Sequence, residues 1–515
     1  MTEQLGAQDA SFLYWENDRI ANHVGGLYIY DQSTAPGGLI TFKQILRHLQ
    51  ARLHLVPRYR QKLKYVPGKL DHPYWVDDDR FDLEYHVQHM ALPKPGDWRQ
   101  LCIMTSRIYD RPLDMSRPLW TFYVIEGLDH VEGLPPGSFA VVTKTHHAMI
   151  DGVSGTAMAT AIHDQCPDAV SPPPEPWQPR PCPSDLELLT QAYLNNLAKP
   201  LKFIEALSEI SPAAQRFMEG LSSNRFSMPK LSGEAPRTRF NDKASGHRVI
   251  AAAVFPLADL RAIKNVLPGA TINDVILTIG GGALRRYLTE KGELPERSLT
   301  ALAPIAVRSP EAKDPSTIKT AAAGGNEVTG MVVSLATNLA EPLERLRAVH
   351  GSAASSKELT NAVGAKLMTD FNKFIPSVTM GLASRLVSTL GLRTRMQPIV
   401  NTVLTNVPGP QFPLYFCGAV MVNQYSLGIV LDGMTLFHGI LSYNGKLTIT
   451  AMSDREAMPD PAFYQACLYE SFAELREAAA KAAAPAAKPP GKRKAKPGRA
   501  PETASATVVK ASAQP

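Results

Sequence analysis

The chain has 515 residues, 44% of them hydrophobic and 20% charged, which excludes a low-complexity or fibrous protein and leaves room for two or three packed domains. Lys and Arg exceed Asp and Glu by 54 to 48, a net charge of +6. From Ala478 to Pro515 eight Lys or Arg face one acid, Glu502, so this stretch carries +7 and the remainder −1. The body is therefore close to neutral, and the basicity does not point to nucleic acid.

The first residues, Met1 to Asp18, lack a basic start followed by an apolar run, so no secretory signal is expected. His23–Tyr30 reads as a strand and Gly38–Leu53 as an amphipathic helix. Ser138–His147 is a further strand. Ser171–Pro183 holds seven prolines, which no helix interior or central strand accepts, and reads as a crossover linker. Asp185–Leu207 has apolar residues at nearly helical spacing, interrupted at Pro200; packing against the body and membrane contact are both open.

Val249–Leu257 suggests a strand and Ile272–Leu288 a helix, and strands are expected over Ala301–Arg308, Val328–Thr337 and Asn401–Val407. Phe374–Leu392 has one charge, Arg385, and five Ser or Thr, a composition for a buried or interfacial helix rather than a membrane span. Between Met434 and Met452, Asn444-Gly445 separates two apolar runs, a two-residue hairpin signal. The Ala/Pro/Lys tail, 478–515, has almost no large apolar residues and is expected to be disordered. The five cysteines are scattered without a CxxC pair, which predicts reduced thiols in a cytoplasmic protein and no zinc site.

The stretch that carries chemistry is Lys144-Thr145-His146-His147-Ala148-Met149-Ile150-Asp151-Gly152. If the strand continues through both histidines, its period of two sends them to opposite faces, so only one imidazole enters a given site. A histidine is the natural base for an alcohol nucleophile near neutral pH. Asp151 either orients the imidazole or fixes the turn that Gly152 permits; spacing leaves both open, as it does a pair of satisfied core histidines. HExxH, GxSxG, Walker A and dinucleotide fingerprints are absent.

HHxxxDG is the signature of an acyltransferase superfamily. The chain resembles within it the bacterial wax ester synthase/diacylglycerol acyltransferase family, from Asp9-Ala10-Ser11-Phe12-Leu13 to about Leu475. The landmarks come in the family's order: Pro118-Leu119-Trp120, His146 to Gly152, Asn273-Asp274, Asn326-Glu327, and Asn406-Val407-Pro408-Gly409-Pro410. Thr405 replaces the Ser of SNVPGP, and Pro304 to Arg308 is a loose PxSxR.

The resemblance implies an α/β fold of mixed sheets, with two chloramphenicol-acetyltransferase-like lobes around a central channel. The expected divisions are an N-terminal lobe over 1–170, a linker with helices over 171–235, a C-terminal lobe over 236–477 and the tail. It implies transfer of a long-chain acyl group from acyl-CoA to diacylglycerol or a fatty alcohol, without a metal, cofactor or covalent intermediate. His147 would be the base, His146 would support the site's shape, and Asp151 would pair with Arg60. The alternatives are a polyketide or peptidyl acceptor, or a non-catalytic lipid-surface protein. Residue by residue, Asn273 and Asp274 read first as helix capping, Trp120 as core or channel lining, and Asn406 as part of a strand-ending turn or channel mouth. The implied partners are acyl-CoA, the lipid alcohol and a peripheral membrane or lipid-droplet surface, with a homodimer allowed.

Overall fold

The computed structural model describes residues 3–150, 161–170, 173, 176–197, 235–306, 328–363 and 392–483. In the N-terminal half the strands are β1 (Glu3–Gln4), β2 (His23–Asp31), β3 (Gln61–Lys64), β4 (Tyr74–Asp77), β5 (Val87–Ala91), β6 (Trp120–Glu126) and β7 (Phe139–His146). The C-terminal half supplies β8 (Arg248–Pro256), β9 (Thr300–Ala306), β10 (Val328–Ser334), β11 (Thr402–Pro408), β12 (Tyr415–Phe416), β13 (Ala419–Leu427), β14 (Leu436–Tyr443) and β15 (Lys446–Asp454). The helices are α1 (Ala7–Trp15), α2 (Phe42–Gln50), α3 (Leu83–His86), α4 (Trp98–Asp110), α5 (185–197), α6 (Leu257–Lys264), α7 (Ile272–Glu290), α8 (Pro342–Val363), α9 (Leu392–Arg395) and α10 (Pro461–Ala483).

Two six-stranded mixed sheets carry the fold, in the orders β12-β13-β2-β7-β6-β5 and β10-β9-β11-β14-β15-β8, and a small sheet β1-β4-β3 sits beside them. β12 and β13 belong to the C-terminal half in sequence but complete the N-terminal sheet, β13 running antiparallel to β2. The halves are thus hydrogen-bonded through a shared sheet.

Local chemistry accounts for the main elements. β7 is buried along its whole length: its first four residues are apolar, and the buried polar ones that follow include Lys144 and His146, each hydrogen-bonded. Val141 packs into one core and Val142 into another, as the period of two requires. The second of these cores also takes in Ile250, Ala252, Tyr425 and Met452, so it lies between the halves. Asn444 and Gly445 both adopt positive φ, 43° and 76°, and turn β14 into β15 as expected. α2 starts later than its sequence pattern because Thr41 and Gln44 form a capping box there.

α10 runs to Ala483, so the first residues of the expected disordered tail, 478–483, are helical. Their alanines favour helix, Ala479 is buried, and Lys481 pairs with Glu477 one turn back. The rest of the tail, and Phe374–Gly391 of the interfacial-helix expectation, lie outside the described residues.

Candidate active site

β7 ends at His146, and His147 opens a short 3-10 turn, His147–Met149. The strand does not continue through both histidines, because the His146 side chain itself caps the turn: its Nδ1 accepts from the Ala148 N–H at 3.0 Å. An accepting Nδ1 carries no proton, so the neutral ring holds its proton on Nε2. That Nε2 lies 3.1 Å from Glu16 Oε1, although the approach is off the hydrogen-bond direction. His146 is fully buried, and its N–H donates to the carbonyl of Leu119 at 2.9 Å, within Pro118-Leu119-Trp120.

His147 is held from the other side. Its N–H donates to the carbonyl of Asn22 at 2.8 Å. Its ring stacks on Phe12, with centroids 3.9 Å apart and planes 20° from parallel. The residue keeps some surface open, but desolvation of the ring dominates, helped by the neighbouring His146, and pushes its pKa down to about 4. Nδ1 is shut away with no hydrogen-bond partner from another residue, and Nε2 is the other ring nitrogen. A neutral imidazole can accept a proton at neutral pH.

Phe12, Glu16 and Asn22 form the bracket around these rings. Phe12 is on α1 and Glu16 caps its C-terminus, four residues later and hence on the same face. Asn22 N–H donates to Glu16 Oε1 at 2.9 Å, and Asn22 Nδ2 to the carbonyl of Phe12 at 2.6 Å. β2 then begins at His23, which pairs with His146 across the sheet. Close approach of β2 and β7 depends on Gly25: a Cβ there would stand 2.1 Å from the carbonyl oxygen of Thr143. Sequence reasoning assigned no role to these three residues, although the Phe12–Glu16 spacing marks one helical face pointed at something apolar and something basic.

Lys144, two residues before His146, is fully buried. Its Nζ donates to the carbonyls of Ile108, at 2.9 Å, and of Arg111, where a cation answers the open carbonyls ending α4. Burial, reinforced by Arg111, pushes its pKa down to about 8.

The other sequence-predicted residues fall in three places. Pro118, Leu119 and Trp120 are buried, with Trp120 Nε1 donating to the Tyr59 carbonyl at 2.9 Å and its ring stacked on His86. Arg60 is also buried, its guanidinium 5.0 Å from the centre of the Trp177 ring. In the C-terminal half, Asp274 closes a capping box with Thr271 at the start of α7 and receives His350 Nδ1 at 3.0 Å. Asn273 Oδ1 and Asn406 Nδ2 meet at 3.5 Å, a weak contact that nonetheless joins two sequence motifs 133 residues apart. Asp151, Gly152 and the Arg60–Asp151 pairing lie outside the described residues, as do Asn326 and Glu327. Among the described residues no group of three His, Cys, Asp or Glu could hold a metal ion.

The model of the wax ester synthase/diacylglycerol acyltransferase catalytic domain matches residues 5–276, and that of the family's C-terminal domain matches 324–476. A Mycobacterium tuberculosis protein named as a diacylglycerol O-acyltransferase is 32% identical over 458 residues, covering 89% of this chain and 87% of that protein. A second from the same organism, similarly named, is 31% identical and covers 91% and 98%. Among solved structures, the wax ester synthase/diacylglycerol acyltransferase from Marinobacter aquaeolei VT8 superposes with a TM-score of 0.65 at 27% identity, over 93% of this chain and all of that one. The first condensation domain of the CDA synthetase, at 14% identity and a TM-score of 0.54, shares the fold. The chain is an acyltransferase and belongs to the wax ester synthase/diacylglycerol acyltransferase family.

Proposed function

We propose that the protein transfers a long-chain acyl group from acyl-CoA to the hydroxyl of diacylglycerol or of a fatty alcohol, with His147 as general base. The observation that carries this reading is the His147 ring, stacked on Phe12 and kept unprotonated at neutral pH by burial. His147 Nε2 takes the hydroxyl proton as the oxygen attacks the thioester carbonyl. The tetrahedral intermediate collapses, the C–S bond breaks, and the imidazolium returns its proton to the departing CoA thiolate. No acyl-enzyme forms. His146 acts by shaping the turn that presents His147, and Asp151 by pairing with Arg60.

Both acceptors are lipids, which fits peripheral contact with a lipid surface. No described helix is long and apolar enough to cross a membrane. α5, however, turns Leu186, Tyr193, Leu194 and Leu197 outward while its Leu188 and Ala192 pack inward, and such a helix can lie in an interface.

The test is CoA thiol release from palmitoyl-CoA with dioleoylglycerol and with hexadecanol. Wild-type protein is expected to turn over at least one of them, and His147→Ala to be slower by about a hundredfold or more. Activity of the variant within a few-fold of wild type rejects the base.

A further inference from the structure

Three residues before Asn22, Arg19 reaches out of the N-terminal half. Its guanidinium meets both oxygens of Asp432, at 3.2 and 3.4 Å, and donates to the carbonyl of Ala244 at 2.5 Å. Its own carbonyl accepts from Arg248 Nη2 at 2.8 Å, and Arg248 pairs with the buried carboxylate of Asp454 at 3.4 Å. These three partners, and Asp454 behind Arg248, belong to the C-terminal half. Asp432 is buried and also accepts from the Ala244 N–H at 2.9 Å, so this ion pair escapes much of the screening that weakens surface pairs.

The loop that Arg19 anchors is stiff. The N–H groups of Arg19 and Ile20 both donate to Asn17 Oδ1, at 2.9 and 3.0 Å, and Ile20 is buried in the core between the halves. At the loop's far end stands Asn22, whose carbonyl holds the His147 N–H and whose side chain holds Phe12. A displacement at Arg19 therefore reaches the base through three residues with little slack.

We propose that Arg19 is a positioning residue for acyl transfer: gripped by Asp432 and Arg248, it seats Asn22 and Phe12 against His147 only while the two halves are docked. The proposal rests on His147 being the base. A loosened grip leaves the surfaces that hold the reactants intact and lowers the fraction of bound complexes with an aligned imidazole. The effect falls on kcat rather than KM.

The experiment compares Arg19→Met, Arg19→Lys, Asp432→Asn and the Arg19→Met/Asp432→Asn double variant, using palmitoyl-CoA and dioleoylglycerol, with rates per folded protein from circular dichroism. Asp432→Asn keeps an acceptor for the Ala244 N–H and loses only the charge. The two neutralising variants are expected to lose about tenfold in kcat, with KM for palmitoyl-CoA within about twofold. Arg19→Lys should stay within about threefold of wild type, and the double variant should be no worse than the worse single one. Unchanged kcat in both single variants, a rise in KM alone, losses that multiply in the double variant, or a loss accounted for by unfolded protein overturns the proposal. A wild-type protein with no thiol release on any lipid alcohol overturns instead the functional reading beneath it.

Discussion

The ring of Phe12 covers that of His147 at 3.9 Å, nearly parallel, so the face of the imidazole turned to Phe12 is closed to water by a residue from the first helix of the chain. Such a stack fixes the plane of the imidazole and contributes about 1 kcal/mol beyond simple burial. Phe12→Ala removes both the clamp and the cover. The expected result is a fall in kcat of about tenfold, the scale of one stacking interaction realised in the transition state. Steady-state kinetics on lipid alcohol and acyl-CoA measure it, and an unchanged kcat means that the stack does not orient the base.

The acid side of the pH profile follows from the same burial. His147 has its pKa pushed down from 6.5 to about 4 by desolvation and by His146, so it is unprotonated across the neutral range. Protonation would abolish the proposed base. The kcat/KM is therefore expected to stay level as pH falls through 6.5 and to decline only as it approaches 4. A profile that breaks near 6.5 contradicts the buried position of the ring.

A second buried histidine makes stability itself depend on pH. His438 lies between Thr402 Oγ1, at 3.0 Å, and Tyr464 Oη, at 2.7 Å, and burial pushes its pKa down to about 4. The unfolded chain takes up a proton below 6.5, whereas the folded protein does not until about 4. Stability contributed by neutral His438 is thus complete above 6.5 and is lost as pH falls towards 4, by up to about 3 kcal/mol. Urea unfolding midpoints at pH 7.5 and 5.0 test this, with His438→Gln expected to show the shallower dependence.

Some of these features were legible in the sequence. The hairpin at Asn444-Gly445 was, because left-handed dihedrals at two successive positions select those residues. The start of α7 was as well, since Thr271 and Asp274 have the spacing of a capping box. The end of β7 was misplaced by one residue, because a cap made by a histidine side chain leaves no compositional trace. β13 crossing to the N-terminal sheet was not legible at all, since pairing with a strand about 390 residues earlier has no periodic signature. For the same reason the 236–477 lobe does not keep all its strands to itself. The bracket of Phe12, Glu16 and Asn22 escaped notice because its hydrogen bonds run largely through main-chain atoms.

Asp274 bears on how motifs divide between catalysis and folding. Its carboxylate meets Thr271 N–H at 2.8 Å, at the start of α7, and His350 Nδ1 at 3.0 Å, which ties that start to α8. Asp274→Ala is therefore expected to cost about 1–2 kcal/mol of stability, the scale of a lost helix cap, and to leave kcat per folded protein within about twofold. Thermal unfolding alongside kinetics separates the two. A large fall in kcat without a fall in melting temperature gives this residue a direct part in the reaction.

Glu16 stands at the opposite end of that division, because its carboxylate serves the turn that presents His147, the proposed base. One oxygen accepts from Asn22 N–H at 2.9 Å and faces His146 Nε2 at 3.1 Å. With His146 Nδ1 already accepting from Ala148, the Nε2 proton lies beside the Glu16 carboxylate without a hydrogen bond to it. Glu16→Gln keeps an oxygen in place and is expected to retain kcat within a few-fold. Glu16→Leu strands the Asn22 N–H, at about 1–3 kcal/mol for a buried donor, and removes the carboxylate beside His146 Nε2. The turn then relaxes and carries His147 with it, so kcat and melting temperature should fall together in the Leu variant and neither should fall much in the Gln variant. Equal losses in both would mean that the negative charge, rather than the acceptor, is what the site requires.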